Sequence, residues 1–420
     1  MNLIGTWSLT GPTATAIIVV SLLISGVLVV SGLRRRARGT ILALALASMV
    51  GVGAWLYLNV LVKPFSDGIA TALIASCALA LAAAFSVVTQ KGGRGWMVVA
   101  LILSIPAAAG VGNLCYQLFP TVRSLNPEPV AVAMDFAAFR QASTASTPPT
   151  QDGREVGALV SLPLAGDQSG VRARDALVYV PPAYWTHPET DLPVLVLMHG
   201  NPGEPSQWFD AGEAGQSADE YQATHDGVSP IVVSVDATGS LNGNPICVDG
   251  PELNMMTYLS ADVPAGIEEN FRVDEDRAHW VIGGLSYGGT CALQIMTTHP
   301  GVYGSFLDFS GEAEPGVGEH QATVDQFFAG DEESFAAVNP EDILQNAVDT
   351  GATTFRDVHG VFVAGEKDHS AQDAQARLSE LANRAGMVTT TDTTPGSHTF
   401  EVWRTALREN FEWAAARGGL

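Results

Sequence analysis

Four apolar runs, each close to the roughly 20 residues that a helix needs to cross a bilayer, follow one another within the first 118 residues. They lie at 14–33, 40–61, 69–89 and 96–115. Buried helices of a water-soluble domain rarely stay free of charge for so long, and hydrocarbon admits only backbone that satisfies its own hydrogen bonds. The runs therefore predict an all-α region of four transmembrane helices. A cleaved signal peptide would have a basic lead and one short apolar run, whereas here the runs repeat and the first has no basic lead.

Charge divides the 420 residues at the same place. Up to residue 120 the chain has seven Lys and Arg and one acidic residue; after it come 14 basic and 43 acidic residues. So acidic a surface is repelled by nucleic acid phosphates, and nucleic acid is excluded as a partner. The basic residues of the first part fall between runs. Arg34, Arg35, Arg36 and Arg38 separate the first and second, and Lys91 and Arg94 the third and fourth. Both connections are expected on the cytoplasmic side, while the N-terminus and the connection holding Lys63 and Asp67 are expected outside. An even number of spans then places the rest of the chain outside the membrane.

Between Phe119 and Gly157 five prolines are scattered among Ser, Thr and Ala, which reads as a linker. The expected organisation is a membrane region at 1–118, a linker at 119–157 and a catalytic domain at 158–420. In the last part short β-branched runs alternate with amphipathic stretches, the pattern of a mostly parallel sheet with helices on both faces. Strands are expected near 158–164, 176–180, 194–198, 231–235, 279–283, 305–309, 360–364 and 388–391. Helices are expected near 217–225, 255–271, 289–298, 371–385 and 400–416, with a further helical insertion at 331–349.

The four cysteines lack the spacing of a metal site. Cys77 and Cys115 lie in or beside apolar runs. Cys247 and Cys291 belong to the part expected outside, where a disulfide between them would persist; two buried free thiols are the alternative. Asp249, Glu252 and Asp262 do not repeat a calcium-binding spacing, and neither a metal nor another cofactor is implied.

The segment Trp280 to Gly289 runs from strand to helix through Gly284-Leu285-Ser286-Tyr287-Gly288. Such a turn holds a serine in a strained conformation at the carboxyl end of a sheet, beside the free N–H groups of a helix start. A serine hydroxyl needs a base, and a histidine base needs a carboxylate to orient it. The hydrophobic run 360–364 ends in Gly365-Glu366-Lys367-Asp368, which makes Asp368 the first choice of acid and Glu366 the alternative. His398, in a loop before the last helix, is the expected base. The oxyanion donors are expected to be the backbone N–H groups of Tyr287 and of Asn201, the latter in His199-Gly200-Asn201-Pro202-Gly203.

Met198-His199-Gly200 with Trp208, the run Asn254 to Val263, Gly284 to Gly289, and Ser397 to Trp403 together resemble the esterase family of α/β-hydrolases. That family includes esterase D, feruloyl esterases and the antigen 85 mycolyltransferases of actinobacterial envelopes. The resemblance covers about 160–416 and implies an α/β-hydrolase fold with Ser286, Asp368 and His398 as the catalytic triad. Tyr287 stands where the family often has methionine, and the Gly-x-x-Asp turn differs from the acid of mycolyltransferases, so the match is closer to an esterase.

The expectation is thus a membrane-anchored serine esterase acting on carboxylic esters outside the cell membrane. Abundant Ala, Gly and Val with scarce Lys fit an actinobacterial source, in which cell-envelope glycolipids such as acylated trehalose or mycolate esters are natural substrates. An acyltransferase would use the same triad with a sugar hydroxyl in place of water. A non-catalytic envelope scaffold on the same fold is the alternative of another class.

Overall fold

The computed structural model describes residues 4–61, 68–89 and 93–420, with the side chains of 33–37 left out. Lys63, Asp67, Lys91 and the side chains of Arg34, Arg35 and Arg36, on which the expected orientation drew, lie outside the described residues. The chain forms two compact units, Met1–Pro127 and Glu128–Leu420.

The first unit holds three long helices, α1 (Pro12–Leu56), α2 (Thr71–Thr89) and α3 (Arg94–Tyr116), with a π-helical turn at Tyr57–Leu61. Within them are four segments long and apolar enough to cross a membrane: Pro12–Gly32, Arg38–Leu61, Thr71–Thr89 and Arg94–Tyr116. A loop was expected between the first two, but the backbone is helical throughout. Arginine and alanine are strong helix formers, so the cluster 34–38 has no residue that ends a helix. Close approaches set the packing. Gly112 faces Leu73, which makes α2 and α3 an antiparallel pair; Gly110 meets Ile18, and Gly51 meets Ala78. Ser25 Oγ donates to the Ala100 carbonyl at 2.9 Å. The first membrane-length segment of α1 therefore packs on α3 and the second on α2. At one end, residues before α1 hydrogen-bond those after α3: Leu9 N to Pro120 O, Val122 N to Trp7 O and Arg123 N to Gly5 O.

A nine-stranded sheet organises the second unit, in the order β1-β4-β5-β7-β6-β8-β9-β10-β11. Its strands are β1 (Ala131–Asp135), β4 (Gly157–Leu162), β5 (Ala176–Val180), β6 (Val194–Met198), β7 (Ile231–Val235), β8 (Val281–Leu285), β9 (Ser305–Phe309), β10 (His359–Gly365) and β11 (Val388–Thr394), while β2 (Thr150–Gln151) and β3 (Arg154–Glu155) pair as a separate hairpin. β5 is antiparallel to both its neighbours, β4 and β7; every other pair in the sheet is parallel. Strands β6 to β9 are buried at every position, as parallel strands covered on both faces must be. In register, Val196 stands between Val233 and Ile282, and Leu285 beside Phe309, so the carboxyl ends of β6, β8 and β9 form one edge. Trp280, Tyr303, Phe306 and Phe362 fill the interior, the last two meeting edge to face at 5.2 Å.

The segment 119–157, expected as a linker, contributes β1, the helix Phe136–Ala142 and the hairpin. β1 reads Ala-Val-Ala-Met-Asp and has a single β-branched residue, so its sequence signal is weak; parallel pairing with β4 is what makes it a strand. The helix after it starts where the Asp135 carboxylate accepts the Ala138 N–H at 2.7 Å. The insertion expected as one helix at 331–349 is two, Glu332–Ala336 and Pro340–Thr350, broken at Asn339-Pro340, and a helix at His320–Phe328 precedes them.

Candidate active site

Ser286 follows β8 with φ 52° and ψ −119° and opens the helix Tyr287–Thr298. A side chain forced to positive φ at this kind of turn is a strained conformation that its surroundings must hold in place. They do so through contacts that only glycine allows. A Cβ on Gly284 would collide with the backbone of Gly288, and one on Gly288 with the Met198 carbonyl. The Ser286 N–H donates to Phe309 O at 2.7 Å, tying the turn to β9.

The base and the acid arrive on two neighbouring loops. Asp368 caps the helix His369–Arg384, and His398 precedes the helix Phe400–Arg417. The loops are bonded to each other, Glu366 N to Thr394 O and Lys367 N to Gly396 O, which fixes the spacing of the two side chains. His398 Nε2 lies 2.9 Å from Ser286 Oγ, and its Nδ1 lies 2.8 Å from Asp368 Oδ2. Burial by itself would raise the Asp368 carboxyl, but the His398 hydrogen bond and charge, Ser310 and the Ala371 N–H outweigh it and hold it below the usual carboxylate range. Asp368 is buried and bonded to the imidazole, whereas Glu366, the alternative acid, is exposed. The Trp403 ring stands edge-on to His398 at 5.1 Å.

Facing this chain of bonds is the loop after β6. A Cβ on Gly200 would touch Leu285 and come within 3.8 Å of Ser286 Cβ, so the loop runs directly past the serine. Among the described residues the N–H groups of Asn201 and Tyr287 meet no backbone acceptor. The arrangement can pass a proton from serine to imidazole.

Cys247 and Cys291 are joined as a disulfide with Cα atoms 5.7 Å apart. Cys291 lies one turn along the serine's helix from Tyr287. The Tyr287 hydroxyl donates to Ala237 O at 3.0 Å and accepts the Cys247 N–H at 3.1 Å. Burial pushes that phenol far above its ordinary range. Asp249 and Asp262 are engaged with the protein itself: Asp249 accepts from Thr257, and Asp262 from the N–H groups of Gln168 and Ser169.

Several residues around the site were not found by sequence reasoning. Asp308, at the carboxyl end of β9, is fully buried; its Oδ1 accepts from the Gly311 N–H at 2.7 Å and from Gln375 Nε2 at 3.0 Å. Burial pushes its carboxyl up to about 7 against the pull of those two bonds. Arg174 and Asp236 pair beside His199. A carboxylate directly after a Val- and Ile-rich strand, as Asp236 is after β7, was the available signal.

A mostly parallel sheet that displays a serine on a strand-to-helix turn, with acid and histidine on later loops, is an α/β-hydrolase fold. Residues 171–414 match the family described as "Putative esterase", and the chain belongs to that family. An uncharacterised protein of Corynebacterium glutamicum is 51% identical over 427 residues, covering all of both chains. Among solved structures, a ferulic acid esterase aligns at 22% identity with TM-score 0.50, over 58% of this chain and 92% of that one. An S-formylglutathione hydrolase from Agrobacterium tumefaciens aligns at 19% identity with TM-score 0.51, over 62% of this chain and 95% of that one. At these identities the two structures establish the fold.

Proposed function

We propose that the protein is a membrane-anchored carboxylic ester hydrolase in which Ser286 is the nucleophile, His398 the general base and Asp368 the residue that orients it. The observation that carries this reading is the unbroken chain of hydrogen bonds from Ser286 Oγ through the imidazole to Asp368. His398 takes the serine proton as Oγ attacks the ester carbonyl, and the Asn201 and Tyr287 N–H groups receive the developing oxyanion. The imidazolium then returns the proton to the departing alcohol. Water, deprotonated by the same histidine, releases the acid and restores the serine; an alcohol in place of water would make the reaction an acyl transfer.

The four apolar segments support an anchor that crosses the membrane four times. The pairing of residues 5–9 with 120–123 supports an even number of crossings, since the chain leaves the bundle at the end where it enters. With Arg38 and Arg94 at the opposite end, the positive-inside rule puts the catalytic unit outside the cytoplasmic membrane. An enzyme fixed there meets esters of the bilayer and envelope, and acylated glycolipids are the proposed substrate class.

Labelling intact cells with a membrane-impermeant fluorophosphonate tests both halves of this reading. The wild-type protein is expected to label, and Ser286→Ala and His398→Ala are not. Labelling only after lysis would reverse the orientation, and no labelling in either state would remove the hydrolase reading.

A further inference from the structure

The carboxyl edge of the sheet brings together three residues that the reaction above does not use. Arg174 precedes β5, Asp236 follows the neighbouring β7, and His199 follows β6. Arg174 grips both carboxylate oxygens, Nε to Oδ2 at 3.0 Å and Nη2 to Oδ1 at 2.5 Å, and its own N–H adds a bond to Oδ2 at 2.9 Å. Burial alone would raise the Asp236 carboxyl; the neighbouring His199 ring, the Arg174 contacts and the Thr238 N–H together hold it far below the usual range. A bidentate pair whose carboxylate is fully buried under a half-buried guanidinium is a stiff element.

That pair reaches the oxyanion loop at two points. Arg174 Nη1 donates to Gly203 O at 2.8 Å, and Nη2 lies 3.3 Å from His199 Nε2. A guanidinium has no acceptor, and the Ala237 N–H also points at Nε2 from 3.3 Å. His199 Nε2 therefore accepts, which leaves the proton on Nδ1. Asp236 Oδ1, 3.5 Å from Nε2, is too distant to change that assignment. Nδ1–H in turn donates to the Gly200 carbonyl at 2.7 Å. A trans peptide carries its N–H opposite its C=O, so holding the Gly200 carbonyl on the His199 side turns the Asn201 N–H the other way. His199 is completely buried, so water cannot replace any of these partners.

We propose that Arg174, held by Asp236, is a positioning residue for the esterase reaction: it fixes the tautomer of His199, and His199 fixes the peptide whose N–H receives the oxyanion. The inference rests on the esterase reading. Arg174 touches no reacting atom, and its effect passes entirely through the orientation of one amide.

The test is Arg174→Lys in the full-length protein, assayed in detergent with a p-nitrophenyl ester and its thiono analogue, whose C=S is a poor hydrogen-bond acceptor. Lysine leaves Asp236 a cationic partner but cannot fork to Gly203 O and His199 together. The expected result is a kcat lower by about 10- to 100-fold with KM nearly unchanged, short of the roughly 10²–10³-fold that loss of a whole oxyanion donor brings. The preference for the oxo over the thiono ester should shrink in parallel, by about tenfold on the same reasoning. Asp236→Asn, which keeps the shape and an acceptor oxygen, should shift the same ratio less and serves if the lysine variant does not fold. An unchanged kcat, or a lower kcat with the oxo-to-thiono ratio of the wild type, would overturn the proposal alone. Absence of Ser286-dependent turnover in the wild type would overturn the esterase reading and this proposal with it.

Discussion

The two units bury opposite things. In Met1–Pro127 the interior is mostly small residues such as Ala82, Ala83, Ala100, Ser25, Ser86 and Ser104, with Val29 and Met97 among them, while Ile17, Leu23, Val27, Ile41 and Ile102 face outward. In Glu128–Leu420 the interior is Trp280, Tyr303, Phe306 and Phe362, and the surface is acidic. Water drives large apolar side chains inward, but hydrocarbon is as apolar as leucine and gives no such drive. Helices in lipid are held instead by close approach of small residues and by bonds such as that from Ser25 to the Ala100 carbonyl. On the proposed membrane anchoring, one chain uses two packing rules, and the division between them coincides with the change in charge.

The contrast is most exposed to test in the core of the second unit. Phe306→Ala should destabilise it by about 3–5 kcal/mol in chemical denaturation, the range for a buried aromatic. Leu23→Ala, which removes an equally apolar but outward-facing group, should change the stability of the first unit by less than about 0.5 kcal/mol. Equal effects would erase the distinction.

Asp308 sharpens the comparison, because only the second unit buries a carboxyl of this kind among the described residues. Its folded-state value of about 7 lies above that of an unfolded aspartate. Between pH 4 and 7 the unfolded chain has therefore lost this proton while the folded chain keeps it. Stability should fall as pH rises through that window, by up to about 4 kcal/mol from this group. Unfolding midpoints at pH 4.5 and 7.5 should differ less in Asp308→Asn; an identical difference in the variant would show that other groups set the slope.

Two smaller effects belong to the first unit. Leu23→Arg should oppose insertion of the first span by about 3 kcal/mol, read as a larger carbonate-extractable fraction. Ala83→Leu, in the tight interior, should destabilise the bundle by about 1–3 kcal/mol through overpacking, read as a lower melting temperature in detergent. A tolerated Ala83→Leu would mean that the bundle is loosely packed.

What could be read in advance follows the same boundary. Hydropathy alone located the apolar segments, because lipid imposes one requirement on every residue of a span. The strands β6 and β7 were legible at their observed limits because strands covered on both faces are made almost wholly of Val, Leu and Ile. β1 was not, since an edge strand of Ala, Met and Asp carries little local preference and is defined by its partner. At the site, Ser286, Asp368 and His398 sit at chain positions tied to strand ends, and the fold brings them within hydrogen-bond reach. The partnership of Arg174 with Asp236 had no such marker. It links residues 62 positions apart through the pairing of β5 with β7, and pairing order cannot be read from composition.

The disulfide has a consequence for the life history of the protein. Ile246 and Cys247 both have positive φ, so their loop is wound against its own preference and is clamped to the serine's helix by Cys291 and the Tyr287 hydroxyl. Half of that clamp is a covalent bond that survives only among oxidants. On the proposed topology a newly made chain still on the cytoplasmic side would carry two thiols and a slack loop, and would tighten only after crossing. Maturation of the site would then be coupled to export, and the enzyme would stay unfinished wherever its substrate is absent.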